Sequence, residues 1–311
     1  MTKVFIDGSA GTTGLRIRER LSDRKDLELV ILPEETRKDP AARADALNSA
    51  AVSFLCLPDA AAVEAASFVT DPDAVVIDTS TAHRVADGWV YGMPELAGQR
   101  EKLKAAKRIA NPGCHATGFI SLVAPLVSAG LIQKNARLSC FSLTGYSGGG
   151  KKMIAEYESP DMDPLYQAPR QYGLGQAHKH LPEMAKVCGL EHAPVFCPIV
   201  APYYAGMEVT IPLTPADTSA SVDEIKEVYR AYYRGGLIRF AEGTDESGFL
   251  SAGAFAGRDD LEISVYGNEE RILLVSRFDN LGKGASGAAI QNMNIVLGLD
   301  EDAGLISDDR Q

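Results

Sequence analysis

Three sets of residues have the types and spacing to do chemistry. Cys114 lies in Asn-Pro-Gly-Cys-His-Ala-Thr-Gly (111–118), between a turn signal and the apolar stretch FISLVAPL. His178 and His180 stand two apart in QAHKHLPEM, followed by Pro182 and Glu183. Gly8, Gly11 and Gly14 punctuate GSAGTTG directly after the first apolar run. A thiolate is a nucleophile, an imidazole moves protons near neutrality, and a glycine turn leaves backbone amides open to a phosphate.

For Cys114 the local pattern predicts a tight turn leaving a strand at 107–113 and a helix starting at or just after the cysteine. Sulfur at a helix N-terminus has its thiolate stabilised by unpaired N–H groups and the dipole. Pro125 is expected to kink that helix well beyond the turn. Cys56, Cys140, Cys188 and Cys197 lie in or beside apolar runs and read as inert. Five cysteines without a CxxC pair argue against structural zinc and a disulfide frame. His115 adjoins Cys114, but neighbouring side chains at a helix start diverge, so it reads as a capping or structural residue. Pro182 can open a helix, which leaves His178 and His180 in the approach and Glu183 in the first turn, an imidazole near a carboxylate suited to acid/base work. As metal ligands His178, His180 and Glu183 lack a completing donor set, so no metal is expected. Gly145-Tyr-Ser-Gly-Gly-Gly-Lys-Lys152 departs from the P-loop pattern by placing Lys152 where a hydroxyl belongs, which removes a nucleotide triphosphatase and leaves a flexible turn or a phosphate-receiving loop.

The elements that must carry these residues follow from length and pattern. A chain of 311 residues exceeds one ordinary core of roughly 100 to 200, so two domains are expected. The first third alternates apolar runs at 3–7, 27–32, 52–58, 74–80 and 107–113 with helical patterns, predicting βαβ units and a five-stranded parallel sheet covered on both sides. The glycine loop then falls at the turn after the first strand, where dinucleotide-binding sheets hold the pyrophosphate, with Leu15, Ile17 and Leu21 of the next helix facing the sheet. Glu34-Glu35-Thr36-Arg37-Lys38 offers acids suited to the ribose of NAD and cations suited to the extra phosphate of NADP, and Arg37 and Lys38 lean the reading to NADP. A thiolate beside a nicotinamide points to attack on an activated acyl carbon and reduction of the thioester to an aldehyde, or the reverse. From about residue 136, RLSCFSLTGYS, APVFCPIVAPYYAGMEVTIPL, LEISVYG and RILLVSRFD predict a second α+β domain, mostly antiparallel and with few helices. GASGAAIQNMNIVLGL (284–299) predicts a last helix packing back on the first domain, and the acidic tail from Asp300 reads as a solvated end. A net charge of -11 without a basic run argues against nucleic acid. No run approaches the roughly 18 apolar residues of a membrane span, and MTKVFIDG lacks a secretory pattern, so a soluble cytoplasmic protein is expected.

In combination, GSAGTTG, VIDTSTAHR with WVYGMPEL, NPGCHATG, TGYSGGGK, Tyr172 with HKHLPE, and DNLGKGASGAAIQNMN resemble the shorter form of the N-acetyl-gamma-glutamyl-phosphate reductase family, in order over almost the whole chain. The resemblance implies NADPH-dependent reduction of N-acetyl-L-glutamyl 5-phosphate to the 5-semialdehyde with phosphate release, a step of arginine biosynthesis. It implies Cys114 as the nucleophile forming a thioacyl intermediate, His178 as the acid/base and Glu183 as its orienting carboxylate, with Tyr172 and His180 near the substrate. It implies Gly8, Gly11 and Gly14 with Thr12 and Thr13 as the cofactor loop, Ser147 and Gly148 beside the nicotinamide or substrate, and Arg84 facing an anionic group. The implied fold is a Rossmann domain (1–113 plus 285–311) and a catalytic and oligomerisation α+β domain (114–284), in a homo-oligomer, dimer or tetramer. This sequence departs from the longer branch in the TT of its glycine loop, in AHR and in GGGK at 148–151. Two alternatives stand: a related reductase of aspartyl or aminoadipyl phosphate, and a non-catalytic dinucleotide-binding redox sensor.

Overall fold

The computed structural model describes residues 1–307; residues 308–311, the end of the acidic tail, lie outside the described residues. The chain divides into two compact units, one formed by Met1–Gly113 with Ala285–Leu305, the other by Cys114–Gly284 with the chain from Ile306.

The first unit alternates strand and helix: β1 (Thr2–Asp7), α1 (Thr12–Leu21), β2 (Leu27–Val30), α2 (Pro40–Ser49), β3 (Val52–Leu55), α3 (Asp59–Ser67), β4 (Val75–Asp78), β5 (Val90–Tyr91), α4 (Gln99–Lys104) and β6 (Arg108–Ala110). The sheet order is β2-β1-β3-β4-β6-β5, with every pair parallel, as crossover helices require. Because side chains alternate across a strand, Val4 and Ile6 of β1 enter one apolar cluster and Phe5 enters the other, so both faces are covered. Five strands were expected and six form. The sixth, β5, is two residues long and pairs with β6 through Val90↔Ile109, too short to leave a periodic signal. On α1 the buried residues are Gly14, Ile17 and Leu21, while Leu15 is 41% exposed, which corrects the expectation for Leu15. Ile17 and Leu21 lie four apart on one stripe, and Leu15 stands about 200° from Ile17 around the axis.

The second unit contains α5 (Cys114–Ser128), β7 (Ser139–Gly145), α6 (Gly150–Tyr157), β8 (Arg170–Gln171), α7 (Leu181–Cys188), β9 (Val195–Ala201), β10 (Met207–Leu213), α8 (Val222–Tyr232), β11 (Ile238–Phe240), β12 (Leu261–Asn268) and β13 (Arg271–Phe278). Its seven strands run β11-β12-β13-β10-β7-β9-β8, antiparallel except for β7 with β9 and β11 with β12. The long run 193–213 therefore does not fold as a hairpin. β9 and β10 flank β7 on opposite sides, one parallel and one antiparallel to it. Four helices, more than the sequence reading anticipated, accompany this sheet. Ser221 and Glu224 close a reciprocal capping box on α8, and the Tyr229 hydroxyl donates to the Leu122 carbonyl to hold α8 on α5.

A last helix, α9 (Gly287–Val296), buries Ala289, Ile290 and Met293 in the first unit's core. The chain after it is pinned as far as Leu305, which corrects the reading of a solvated end for those residues. Glu301 accepts from Arg100, the Ala303 carbonyl accepts from Arg24 at 2.8 Å, and Leu305 packs on the apolar cluster. Replacing Ile17 by Ala is expected to cost about 2 to 5 kcal/mol in urea unfolding, whereas Leu15→Ser stays within about 0.5 kcal/mol. Equal losses would contradict the burial pattern of α1.

Candidate active site

In the first unit, β1 ends in Asp7 and the chain turns at Gly8, whose φ of +84° suits glycine alone. A Cβ on Gly8 would lie 2.3 Å from the Cys56 carbonyl oxygen, and one on Gly14 would lie 2.4 Å from that of Gly8, so both positions require glycine. α1 begins at Thr12, and its N-cap Gly11 carries no capping side chain. The amides of Thr12, Thr13 and Gly14 therefore open the helix without an acceptor inside it, where a phosphate is stabilised. Beside this loop lies a cleft of about 400 Å³ lined by Gly8, Ser9, Arg37, Lys38, Arg43 and Leu57, among others. Arg37 donates to Glu34 at 2.6 Å, so a phosphate reaching it would share the guanidinium with that carboxylate. Arg43, from α2, meets the Asp7 carboxylate at 2.9 Å and Glu64 of α3 at 2.9 Å. Burial lifts the Asp7 carboxyl above its ordinary value, with the Arg43 bond pulling the other way. The cleft has the glycine turn and cations, and the helix start beside it the open amides, that suit a dinucleotide with an extra ribose phosphate.

In the second unit, Cys114 is the first residue of α5, partly buried. His115 follows and is buried, its Nδ1 2.7 Å from the Ser142 hydroxyl of β7 and its Nε2 2.6 Å from the Tyr172 hydroxyl. Around it lie His178 and His180, each with ring centroid at 5.5 Å, and Phe196 of β9 at 5.2 Å. The His178 and His180 rings meet edge-on at 4.7 Å. The His180 amide donates to His178 Nδ1 at 3.2 Å, so a neutral His178 carries its proton on Nε2. His180 is the N-cap of α7, Pro182 follows, and Glu183 is buried in the first turn, where the helix dipole favours a carboxylate. Burial, reinforced by His178, pushes His115 down to about 3, and burial raises the Tyr172 hydroxyl, an effect to which the charge of Cys114 adds. The site is a thiol at a helix start beside a cluster of histidines with one member held neutral.

Known proteins resemble this chain over nearly its whole length. The profile of the semialdehyde dehydrogenase NAD binding domain matches residues 3–106, and that of the semialdehyde dehydrogenase dimerisation domain matches residues 114–280. An N-acetyl-gamma-glutamyl-phosphate reductase of a Nostoc species is 44% identical over 97% of this chain and 99% of its own. One from Rhizobium leguminosarum is 45% identical over 95% of this chain and 98% of its own. The chain belongs to the N-acetyl-gamma-glutamyl-phosphate reductase family. The fold is shared more widely: aspartate semialdehyde dehydrogenase II of Vibrio cholerae, solved with ASA, superposes with a TM-score of 0.72 at 17% identity, covering 96% of this chain and 98% of that one. The Candida albicans aspartate semialdehyde dehydrogenase, solved with NADP, gives 0.68 at 17%, with the same coverage of each chain.

Within this family member, Gly8, Gly11, Thr12, Thr13, Gly14, Arg37 and Lys38 gather at or beside one loop of the first unit. Tyr172, His178 and His180 gather around His115, next to Cys114 in the chain. Ser147 and Gly148 lie in the second unit, in a 3-10 turn (Tyr146–Gly149) between β7 and α6, where the Ser147 hydroxyl accepts from Asn280 at 2.9 Å. The GGGK stretch is thus a turn running into a helix start, with Lys151 and Lys152 exposed. Arg84 donates to the carbonyls of Asn111 at 3.0 Å and Thr79 at 3.2 Å, tying together the ends of β6 and β4. Sequence reasoning missed Arg43 and the bonding of His115. Arg43 was detectable as a lone cation on the stripe of Ala46 and Leu47. His115 is no cap: both its nitrogens meet side chains of other elements, Ser142 and Tyr172.

The displaced His115 makes stability depend on pH. The unfolded chain binds a proton near pH 6.5 and the folded chain only near 3, so stability falls as pH drops through that window. In urea titrations at pH 7 and pH 4.5, His115→Gln is expected to lose less stability between the two than the wild type. An unchanged loss would contradict a neutral buried His115.

Proposed function

We propose that this protein uses NADPH to reduce N-acetyl-L-glutamyl 5-phosphate to N-acetyl-L-glutamate 5-semialdehyde, releasing phosphate, in arginine biosynthesis. The observation that carries the reading is Cys114 as the opening residue of α5 beside the His115, His178 and His180 rings, in a chain 44% identical end to end to reductases of that name. The Cys114 thiolate attacks the acyl carbon, and the first-turn amides of α5 stabilise the resulting oxyanion until phosphate leaves with its bonding pair. A nicotinamide bound in the first unit would supply the hydride. As acid/base, His178 shares its Nε2 proton with the oxygen of the reduced thioester, and the electron pair of that oxygen re-forms the carbonyl as the carbon–sulfur bond breaks, which restores the Cys114 thiolate. Glu183 orients the histidine segment, Tyr172 and His180 serve the substrate, Ser147 and Gly148 serve the nicotinamide or substrate, and Arg84 of the first unit meets an anionic group. Met1–Gly113 and Ala285–Leu305 form the cofactor domain, with Gly8, Gly11, Thr12, Thr13 and Gly14 holding the pyrophosphate and Arg37 and Lys38 the ribose phosphate of NADP. Residues 114–284 form the catalytic domain.

That domain also makes a homo-oligomer. The sheet face opposite the helices carries exposed Phe141 on β7, Val195 on β9 and Leu273 on β13, and an apolar sheet face is suited to a second copy. No helix among the described residues is long and apolar enough to cross a membrane.

Phosphate-dependent reduction of NADP is expected with N-acetylglutamate semialdehyde and is expected to vanish in Cys114→Ser. Preference for aspartate semialdehyde, or turnover surviving in the serine variant, would overturn the reading. Arg37→Ala combined with Lys38→Ala is expected to raise the KM for NADPH by about tenfold or more while leaving that for NADH within about twofold. An equal change in both would remove the pair from the ribose phosphate.

A further inference from the structure

The segment that carries His178 leaves β8 by a turn that interrupts its pairing with β9. Arg170 and Gln171 pair with Val200 and Ile199, and the Tyr172 N–H donates to the Pro198 carbonyl at 3.0 Å. Proline has no N–H to give back, and the chain turns at Gly173. Continued in the same register, the ladder would set Leu174 opposite Phe196, yet Leu174 is 74% exposed.

The side chain of Gln176 fills the vacated place. Its Nε2 donates to the Phe196 carbonyl at 2.7 Å, and its Oε1 accepts from the Phe196 N–H at 2.9 Å. A primary amide offers a donor and an acceptor, the same pair that a residue of an antiparallel ladder exchanges with the residue opposite. With its amide there, the Gln176 backbone has a φ of +52°, and Gln176 is one of two non-glycine residues at positive φ among the described residues. Glycine and asparagine enter that region far more readily than glutamine, so the conformation alone does not select this residue. The reach of its side chain does.

His178 stands two residues further on. Its ring meets that of Phe196 at 5.1 Å between centroids, with 66° between the planes. Phe196 is buried in β9, so one fixed residue holds Gln176 through its backbone and meets His178 through its ring. The turn between Gly173 and Gln176 is closed by the Gln176 N–H on the Gly173 carbonyl at 3.0 Å, and its Leu174 and Gly175 are exposed, so packing does little to hold it. We infer that Gln176 is a positioning residue for His178, its amide supplying the missing rung of the β8–β9 ladder and fixing the start of the histidine segment against β9. The inference rests on His178 being the acid/base.

The test measures phosphate-dependent reduction of NADP by the full chain carrying Gln176→Gly or Gln176→Asn, and repeats Gln176→Gly in a His178→Ala background. Glycine keeps the backbone conformation and removes the amide. Asparagine keeps the amide and tolerates the conformation, but is one methylene too short to reach Phe196. Both single variants are expected to lower kcat by about tenfold or more and to leave the KM for the semialdehyde within about twofold, because a displaced acid/base slows proton transfer without removing a substrate contact. Gln176 is exposed, so both variants are expected to fold, with unfolding midpoints within about 4 °C of the wild type. In the His178→Ala background Gln176→Gly should lower kcat no further, since the group it positions is gone. Wild-type kcat in either single variant, or an equal loss from Gln176→Gly with and without His178, would overturn the inference. Failure of the proposed function reads differently: turnover then survives in Cys114→Ser, or His178→Ala alone turns over as fast as the wild type.

Discussion

Burial makes a thiol less acidic, because the charged form loses its water, and this chain shows that effect plainly. The Cys140 and Cys188 thiols are both held well above their ordinary value by burial. A cysteine that is to act as a nucleophile needs a compensating field, and most such sites supply a cation. For Cys114, the proposed nucleophile, the compensation on offer is dipolar. Cys114 opens α5, so the amides of the first turn converge at its end of the helix, and the imidazole of the next residue, His115, is so deeply buried that it stays neutral. That neutral histidine is hydrogen-bonded to two hydroxyls, those of Ser142 and Tyr172. The parts around it, β7 with Ser142, the segment after β8 with Tyr172, and the approach to α7 with His178 and His180, are fixed by the way this one ring is satisfied.

The first unit solves a different problem, that of holding a polyanion at the carboxyl ends of parallel strands. Gly8 and Gly14 let the turn close on backbone oxygens, and Gly11 leaves the helix start uncapped. The charges nearby are mutually restrained: Arg43 is fixed between Asp7 and Glu64, and Arg37 leans on Glu34. A cleft built this way has its cations in place before an anion arrives, which lowers the ordering cost of binding.

Much of this was legible in the sequence, and for physical reasons. Buried parallel strands must be apolar on both faces, so β1, β3, β4 and β6 stand out as short continuous runs, and the glycine loop is placed by the strand before it. The start of α5 at Cys114 and the opening of α7 around Pro182 follow from turn and capping chemistry that acts over a few residues. What escaped depends on partners far apart in the chain. β5 exists only because β6 offers it an edge, Leu15 differs from Ile17 only in which side of α1 meets the sheet, and the order β10-β7-β9 is not encoded by any local pattern in residues 193–213. His115 and Ser142 are 27 residues apart, and His115 and Tyr172 57, so no spacing rule joins them. Arg43 was the exception, a cation on an apolar stripe that marked a buried ion pair in advance.

The proposed mechanism depends on Cys114 accepting an acyl group. Its most direct test mixes the enzyme with N-acetylglutamyl phosphate in the absence of reductant, quenches in acid, and maps the modified peptide by mass spectrometry. The account requires one N-acetylglutamyl group in thioester linkage on the peptide carrying Cys114, released when NADPH is supplied before the quench. Acylation of a different residue, or phosphate release with no adduct on that peptide, would contradict it.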